Sequence, residues 1–322
     1  MAPPARVHWR GFSRRLFLLF TLLVLIPACS RTSSTSGAAG GKITVVCTTG
    51  MIADAARIIS GDRASVTALM GEGVDPHLYK ASPGDIRALS NADLVLYNGL
   101  HLEGRMGEVL EELGKGKAVM AVGEAINPAK LRTPPEFEGQ HDPHVWFDVS
   151  LWMSAVEQVR DALIKSDPAG KVIYETRAAD YLGKLDELHD WCQEQILRVP
   201  ESTRVLITAH DAFGYFGRAY GIEVRAIQGI STDSEAGLRD VNALVDLLVS
   251  RGIHAVFVES SVPRKTIDAL VEGCKSRGHD VRVGGELFSD AMGKDGTPEG
   301  TYMGMVRHNV TTIVTALLGE SK

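Results

Sequence analysis

From residue 42 onward, short runs of apolar residues alternate with longer stretches in which apolar residues recur every three or four positions. The short runs are typical of strands that are buried on both faces, and the longer stretches are typical of amphipathic helices. This alternation predicts mostly parallel sheets flanked by helices. The predicted strands are residues 43–47, 66–70, 94–97 and 118–122 in the first half, and residues 205–208, 224–227, 255–258 and 281–283 in the second half.

Helices are predicted between these strands, and one of them has a clear start signal. In the segment Ser82-Pro83-Gly84-Asp85, serine is an N-cap, proline occupies the first helical position and an acid occupies the third. The other stretches repeat their apolar residues at the spacing of one helix face. They predict helices at residues 51–59, 107–113, 150–165, 213–219, 238–249, 266–277 and 302–317.

The longest periodic stretch, residues 168–198, predicts one continuous helix. About 30 residues of helix span roughly 45 Å, which exceeds the width of a small domain. A helix of this length between two β-α blocks predicts a rigid connector. The alternative is two shorter helices with a break near Gly183, because glycine destabilises a helix interior. The predicted apolar face consists of Tyr174, Ala178, Tyr181, Leu185, Leu188, Cys192 and Ile196.

The order of the elements predicts an α/β fold with two β-α domains, each with a mostly parallel sheet flanked by helices, joined by one long rigid connector helix. A chain of 322 residues is long enough for two domains. Because the connector is stiff, relative motion of the domains is predicted to be limited. The predicted division is a signal peptide at residues 1–28, a flexible tether at 29–41, an N-terminal domain at 42–166, the connector at 167–199 and a C-terminal domain at 200–322.

The N-terminal segment has the pattern of an export signal followed by a tether. Arginines precede an apolar run at residues 16–26, which is too short to span a bilayer comfortably. The segment Ile26-Pro27-Ala28-Cys29 resembles a bacterial lipobox, which predicts that Cys29 is lipidated and holds the protein at the membrane, on its periplasmic or extracellular face. Residues 13–18 also resemble a twin-arginine signal, so both export routes stay open.

Composition restricts the partners and the chemistry. The net charge of −6 argues against nucleic acid as a partner, and a hydrophobic content of 44% is sufficient for large cores. The cysteines form no CxxC pair, which excludes a zinc ribbon or a thioredoxin-like motif. Thiols of an exported protein are expected to be buried or paired. Cys47 is predicted to lie in the core, whereas a disulfide between Cys192 and Cys274 is left open.

The candidate chemistry centres on two identical tripeptides, Asp75-Pro76-His77 and Asp142-Pro143-His144. Proline fixes its own φ and restricts the residue before it, so each histidine is predicted to lie on a stiff turn. His210 follows the predicted strand at 205–208, and Asp290 follows the strand at 281–283. All four residues are predicted to lie in loops. Open α/β sheets bind ligands at the carboxyl ends of their strands, which places the predicted site in the cleft between the domains.

Three imidazoles and one carboxylate are a suitable ligand set for one divalent transition-metal ion. They fill a tetrahedral Zn²⁺ shell, or most of a Mn²⁺ shell if the carboxylate is bidentate. A catalytic zinc keeps an open position for water, so four protein ligands indicate binding and not turnover. Taken singly, each of these residues is more often a satisfied polar group or a turn residue. Candidates to orient the imidazoles are Asp142, Asp211, Glu259 and Glu286.

The chain from residue 42 to its end resembles the metal-specific solute-binding lipoproteins of bacterial ABC transporters, the zinc/manganese receptor family. The resemblance implies two β-α domains joined by a long helix, with one metal ion between them. It implies that Zn²⁺ or Mn²⁺ is the transported ligand, that the partners are an ABC permease and its ATPase, and that the protein is a monomer and not an enzyme. By this resemblance the metal ligands are His77, His144, His210 and Asp290. The matching segments are residues 73–79, 142–148, 208–216 and 287–290.

The metal preference within that family is a separate question. Members that resemble manganese carriers often have glutamate at the position of His210. Dedicated zinc carriers often have a long loop rich in histidine and acids before the second ligand, but here that loop is short and has only His141 as an extra imidazole. The pattern resembles an intermediate group that is associated with both metals, and the Irving–Williams order favours Zn²⁺. Because the ligands must be deprotonated, affinity is expected to fall as the pH drops through about 6.5.

Two other classes of protein fit parts of the pattern. An exported zinc hydrolase would use three histidines and a general base such as Glu259. The chain has no HExxH motif and no nucleophile elbow, which argues against that alternative. A surface adhesin would not require the four candidate ligands.

Overall fold

The first half of the chain forms one four-stranded sheet in which all strands are parallel. The computed structural model describes residues 41–233 and 237–320. The predicted signal peptide, Cys29 and all but the last residue of the predicted tether lie outside these residues. The strands are β1 (Ile43–Cys47), β2 (Ala64–Ala68), β3 (Leu94–Tyr97) and β4 (Val119–Ala121), in the order β2-β1-β3-β4.

Strand β2 begins and ends two residues earlier than the predicted strand at 66–70. Pairing starts where Ala64 stands opposite Ile43 of β1. Because β2 lies at the edge of the sheet, it is only partly buried, and its exposed Ser65 weakens the apolar pattern at the start of the strand. The two apolar residues after the strand, Leu69 and Met70, still donate backbone hydrogen bonds to the end of β1 and the residue that follows it.

The second half of the chain contains two parallel pairs of strands. The strands are β5 (Val205–His210), β6 (Glu223–Gln228), β7 (Ala255–Glu259) and β8 (Arg282–Leu287), paired as β5-β6 and β7-β8. The two pairs lie side by side through β5 and β7. The carboxylate of Glu259, at the end of β7, accepts the N–H groups of Ala209 and His210 at 2.8 and 2.9 Å. A side chain thus connects the two pairs beside a candidate ligand.

The predicted helices are all present in the described residues. The predicted start at Ser82 is confirmed, because its hydroxyl accepts the Asp85 N–H while the Asp85 carboxylate accepts the Ser82 N–H. None of the helices in the described residues is both long and apolar enough to cross a bilayer. Their bounds are α1 (Gly50–Ser60), α2 (Pro83–Asn91), α3 (Gly107–Gly114), α4 (Val149–Ser166), α5 (Lys171–Leu197), α6 (Gly214–Tyr220), α7 (Leu238–Arg251), α8 (Lys265–Ser276) and α9 (Tyr302–Leu318).

The connector α5 is a single helix of 27 residues that joins the two halves. It runs through Gly183 without interruption, so the alternative of two shorter helices is wrong. Every residue of the predicted apolar face is buried. Burial of that face against α1, α4 and α9 supplies the stability that glycine withdraws from an isolated helix.

The largest apolar core extends across both halves of the chain. It includes β1, α1 and α4 from the first half together with α6 and α9 from the second, packed around α5. A second core fills the space between β5, β7, α7 and α8. The thiols of Cys192 and Cys274 are free and buried, in the first and the second core respectively, so no disulfide joins them.

Candidate metal centre

The two Asp-Pro-His tripeptides fold into the same local structure. In the first, the carboxylate of Asp75 accepts the backbone N–H of His77 at 2.9 Å. In the second, the carboxylate of Asp142 accepts the backbone N–H of His144 at 3.0 Å. An aspartate that accepts an N–H two residues further on forms an Asx turn, and the proline between them restricts the turn further. The repeated tripeptide therefore sets the direction of each histidine before any ligand is present.

The other two candidate residues come from the second half of the chain. His210 is the last residue of β5, so the prediction that it lies in a loop is wrong. The strand continues this far because His210 pairs with Gln228 of β6. Asp290 lies in the loop after β8, as predicted. A histidine at the end of a buried strand is held more rigidly than a loop histidine.

The structure brings all four predicted residues together between the two halves. Their ligand atoms lie within 4.8 Å of one another, and all four side chains are buried. A tetrahedral ion with bonds of about 2.0–2.2 Å places neighbouring donor atoms roughly 3.3–3.6 Å apart. Three separations in the structure match this range: 3.3 Å between Nε2 of His77 and Nε2 of His144, 3.3 Å between Nε2 of His144 and Oδ1 of Asp290, and 3.6 Å between Nε2 of His210 and Oδ2 of Asp290. Nε2 of His77 and Oδ2 of Asp290 are further apart, at 4.0 Å.

Several of the converging atoms have no hydrogen-bond partner within the described part of the chain. They are Nε2 of His210 and both carboxylate oxygens of Asp290, each with almost no exposed surface. A buried polar atom without a partner costs about 1–3 kcal/mol, and more if it is charged. Such atoms are rare in folded proteins unless they serve a ligand. A cation among these atoms would satisfy all of them.

Two of the four acids considered from the sequence orient the imidazoles. Asp142 accepts a hydrogen bond from Nδ1 of His144 at 2.8 Å, and Glu259 accepts one from Nδ1 of His210 at 3.0 Å. Each leaves Nε2 of its histidine directed at the site. Glu286 is exposed on β8, and Asp211 makes no hydrogen bond to an imidazole of the described residues. Because Glu259 holds three N–H groups, the general base that a hydrolase would need is already occupied.

Burial and charge set the protonation of the site. Burial by itself lowers the pKa of His144, but the carboxylates of Asp142 and Asp290 outweigh it and raise that pKa to about 10. The pKa of His210 is raised too, because Asp290 and Glu259 outweigh its burial. For His77 burial dominates and lowers the pKa to about 3. Burial would raise the pKa of Asp290, but the imidazoles hold it well below its usual value.

Hydrogen bonds also connect ligand loops from opposite halves of the chain. The indole N–H of Trp146 donates to the carbonyl of Ser289 at 3.1 Å, which links the His144 turn to the Asp290 loop. The hydroxyl of Tyr302 donates to the Trp146 carbonyl at 2.7 Å. Trp146 is not one of the candidate site residues that the sequence indicates. Its polar contact required the position of the Ser289 loop, which the local sequence does not give.

The His77 turn has a connection of the same kind. The hydroxyl of Thr232 donates to the Asp75 carboxylate at 2.6 Å, and Arg105 forms an ion pair with Asp233 at 3.0 Å. Thr232 and Asp233 follow β6, in the second half of the chain. Of these residues only Asp75 belongs to a sequence motif, since no local pattern relates segments so far apart in the chain.

Comparisons with known proteins agree with this architecture. The sequence profile of the family described as ZnuA, "Zinc-uptake complex component A periplasmic", matches residues 45–316. The chain is 52% identical to the manganese-binding lipoprotein MntA of Bacillus subtilis, over 89% of this chain and 93% of that protein. It is 50% identical to the zinc-binding protein TroA of Treponema pallidum, over 88% of this chain and 92% of that protein.

A solved structure has the same fold. The structure of the periplasmic zinc-binding protein TroA from Treponema pallidum superimposes with a TM-score of 0.84 at 49% identity, and the match covers 86% of this chain and 99% of that one. The two β-α halves and the long helix between them are therefore the architecture of a known group of binding proteins. With the profile match and the sequence identities, this establishes that the chain belongs to the family of metal-specific solute-binding proteins of bacterial ABC transporters.

Proposed function

We propose that this protein binds one Zn²⁺ or Mn²⁺ ion through Nε2 of His77, His144 and His210 and through the carboxylate of Asp290. The observation that carries the proposal is the convergence of these four buried donors within 4.8 Å, with the Asp290 oxygens lacking any other partner in the described residues. As a member of a solute-binding family, the protein is not an enzyme, and the ion is its transported ligand.

Zn²⁺ is the ligand that the donor set favours. Imidazole nitrogen suits Zn²⁺, and at a given nitrogen and oxygen site Zn²⁺ binds more tightly than Mn²⁺. Relatives with about half of their residues in common with this chain are named for manganese in one case and for zinc in the other. Both ions are therefore proposed as ligands, with higher intrinsic affinity for Zn²⁺.

The proposed place of action is the outer face of the membrane. The family supplies the substrate-binding component of ABC transporters, so the partners are a permease and its ATPase. We place the lipid anchor at Cys29, which the lipobox-like segment supports, and propose that the protein acts as a monomer. The proposed domains are residues 42–166 and 200–322, with the connector between them. The loaded protein would dock on the permease and release the ion there.

The test is a metal titration of protein that was purified without added metal and stripped with a chelator. Native mass spectrometry is expected to show one ion per chain for Zn²⁺ and for Mn²⁺, with Zn²⁺ displacing Mn²⁺ in competition. Alanine at His77, His144 or His210 should weaken binding by at least about 100-fold, because each removes a proposed ligand.

His141→Ala is the matched control for these variants. His141 lies close in sequence to His144, and its Nδ1 is 3.0 Å from the hydroxyl of Thr133 instead of facing the site. This variant should bind like the wild type. Wild-type protein that retains no ion, or alanine variants that bind as tightly as the control, would contradict the proposed function.

A further inference from the structure

Arg132 is connected to the proposed metal site through a single carboxylate. Its guanidinium Nη1 pairs with Oδ2 of Asp142, while Oδ1 of Asp142 holds Nδ1 of His144 at 2.8 Å. The Asp142 side chain is fully buried, and the Arg132 side chain is 24% exposed. One oxygen of the carboxylate thus serves the arginine and the other serves the histidine.

Several contacts fix the position of Arg132. Its backbone N–H donates to the Tyr215 hydroxyl at 3.0 Å, and that hydroxyl donates to the Asp142 carbonyl at 2.9 Å. The Asp142 N–H in turn donates to the Arg132 carbonyl at 3.0 Å. The guanidinium passes over the first residue of α6, Gly214, where a Cβ would overlap it. A glycine at position 214 is therefore a condition for the contact between Arg132 and Asp142.

We infer that Arg132 is a positioning residue for metal capture, which acts by fixing the Asp142 carboxylate that orients His144. A carboxylate held at one oxygen only can rotate, and the imidazole that it holds rotates with it. With Arg132 on the second oxygen, the direction of His144 Nε2 is fixed. This inference rests on the proposed function, since it assigns a role in the same site.

The other carboxylate-held histidine supports the inference. Glu259 holds Nδ1 of His210 through one oxygen, and its second oxygen accepts the N–H groups of Ala209 and His210. Both orienting carboxylates are thus fixed at the oxygen that does not contact the imidazole. Backbone groups do this for Glu259, and Arg132 does it for Asp142.

The ordinary alternative is that Arg132 only neutralises a buried carboxylate and stabilises the fold. A double-mutant cycle separates the two roles. If Arg132 acts through Asp142, its replacement should weaken Zn²⁺ binding in the wild type but have little further effect when Asp142 is already asparagine. A purely structural role would change the unfolding temperature of the metal-free protein and leave the affinity of the folded fraction unchanged.

The experiment measures Zn²⁺ affinity by competition with a chromogenic chelator. The proteins compared are the wild type, R132Q, D142N, R132Q/D142N, G214A and R218Q. The unfolding temperature of each metal-free protein is measured as well. Arg218→Gln is the matched control, because Arg218 also lies over the Tyr215 ring but pairs with Asp148 instead of Asp142. R132Q and G214A should each weaken binding by about 10–100-fold, the usual effect of losing an outer-sphere partner. R218Q should stay within about threefold of the wild type, and adding R132Q to D142N should cost less than about threefold more.

Spectra of the Co²⁺-loaded proteins give a second readout. The d–d bands of R132Q and G214A should shift from those of the wild type, and those of R218Q should not. The inference is overturned if R132Q binds Zn²⁺ within threefold of the wild type, or if its full effect persists in D142N. If the wild type itself binds no Zn²⁺, the proposed function fails as well. If the wild type binds Zn²⁺ and R132Q binds it equally tightly, this inference is overturned and the proposed function stands.

Discussion

The three histidines of the site differ in what lies behind the ring. Carboxylates hold Nδ1 of His144 and of His210, and both histidines have raised pKa values. The carboxylate of Asp290 lies 4.0 Å from Nε2 of His77, and burial lowers the pKa of His77. His144 and His210 are therefore held both by the backbone and by a carboxylate at Nδ1, whereas the turn formed with Asp75 orients His77 through its backbone N–H.

Replacing Glu259 tests the role of the orienting carboxylates. Glu259→Gln keeps the size of the side chain but removes the charge that holds Nδ1 of His210. We expect Zn²⁺ affinity to fall by about 10–100-fold, measured by chelator competition. Glu286→Gln is the control, because Glu286 is exposed on β8 and should bind Zn²⁺ like the wild type. Equal affinities for the two variants would show that Glu259 has no such role.

Proton release tests the electrostatics of the site. With a pKa of about 10, the imidazole of His144 is protonated at both nitrogens in the metal-free protein at neutral pH, and the raised pKa of His210 favours the same form there. A protonated nitrogen cannot bind metal, so binding must release protons and affinity must rise with pH. The rise should continue above pH 7 towards the pKa of His144, instead of ending near 6.5 as expected from an ordinary histidine.

The raised pKa of His144 affects the stability of the metal-free protein as well, and it does so in the opposite direction: stability falls with rising pH, whereas metal affinity rises. A raised folded-state pKa stabilises the metal-free protein below the unfolded value near 6.5, and this contribution is lost as the pH rises towards about 10.

Proton release on metal binding can be measured directly. Calorimetric titration of Zn²⁺ at pH 7.5, in buffers of different ionisation enthalpy, should show release of at least one proton per ion. Heats that are independent of the buffer would contradict this assignment.

At the scale of single residues, the sequence predicts the metal ligands better than the residues that orient those ligands. The repeated Asp-Pro-His tripeptide identifies two histidines and, through the Asx turn, indicates that Asp142 lies near His144. Glu259 is different, because it reaches His210 from a neighbouring strand. Thr232 also acts from a segment that is distant in sequence, and Arg132 reaches Asp142 only through the fold of the loop between them. No local pattern encodes such contacts, because they depend on how the strands and loops are arranged in space.

At the scale of elements, the helix α5 is the clearest case of packing that outweighs intrinsic preference. Gly183 lies in its exposed face, and a Cβ there would meet nothing within 4 Å. Gly183→Ala should therefore raise the free energy of unfolding by about 0.5–1 kcal/mol, measured by urea denaturation, because alanine loses less backbone entropy than glycine in a helix.

A second helical glycine provides the matched comparison. A Cβ on Gly217 of α6 would lie 2.8 Å from both the Ile222 carbonyl oxygen and the side chain of Val224. Gly217→Ala should destabilise the protein, although the intrinsic helix preference of alanine is the same at both sites. Destabilisation by Gly183→Ala as well would indicate that α5 is bent or broken at that residue in solution.

The type and order of the elements followed from periodicity, and the errors occur at edges. The prediction missed the true start of β2 because an edge strand is half exposed. It ended β5 too early because Ala209 and His210 do not continue an aliphatic run. The pairing of β5-β6 and β7-β8 also could not be read from sequence, since strand pairing depends on tertiary contacts.

At the scale of the whole molecule, the two halves are held together at several points. They share one core around α5, and hydrogen bonds join Trp146 to Ser289 and Thr232 to Asp75 across the cleft. Wide opening would break all of these contacts at once. Metal binding is therefore expected to rearrange ligand loops with little rotation of the domains.

Distances between spin labels test this expectation. Labels at the exposed residues Ser90 of α2 and Ser276 of α8 report on opposite halves of the molecule. Their distance distributions should nearly coincide with and without Zn²⁺, consistent with a domain rotation well below about 20°. Trp146→Phe, which lacks the indole N–H, should broaden the metal-free distribution. A large shift in the wild type on loading would contradict the account of a rigid connector.

The central claim is that four residues, distant in sequence, bind one ion between the two halves. The most direct test is anomalous X-ray diffraction at the zinc edge from crystals of the Zn²⁺-loaded protein. We predict a single strong peak at about 2.0–2.2 Å from Nε2 of His77, His144 and His210 and from an Asp290 carboxylate oxygen. A peak at another position, or a peak that lacks any one of these four contacts, would contradict the claim.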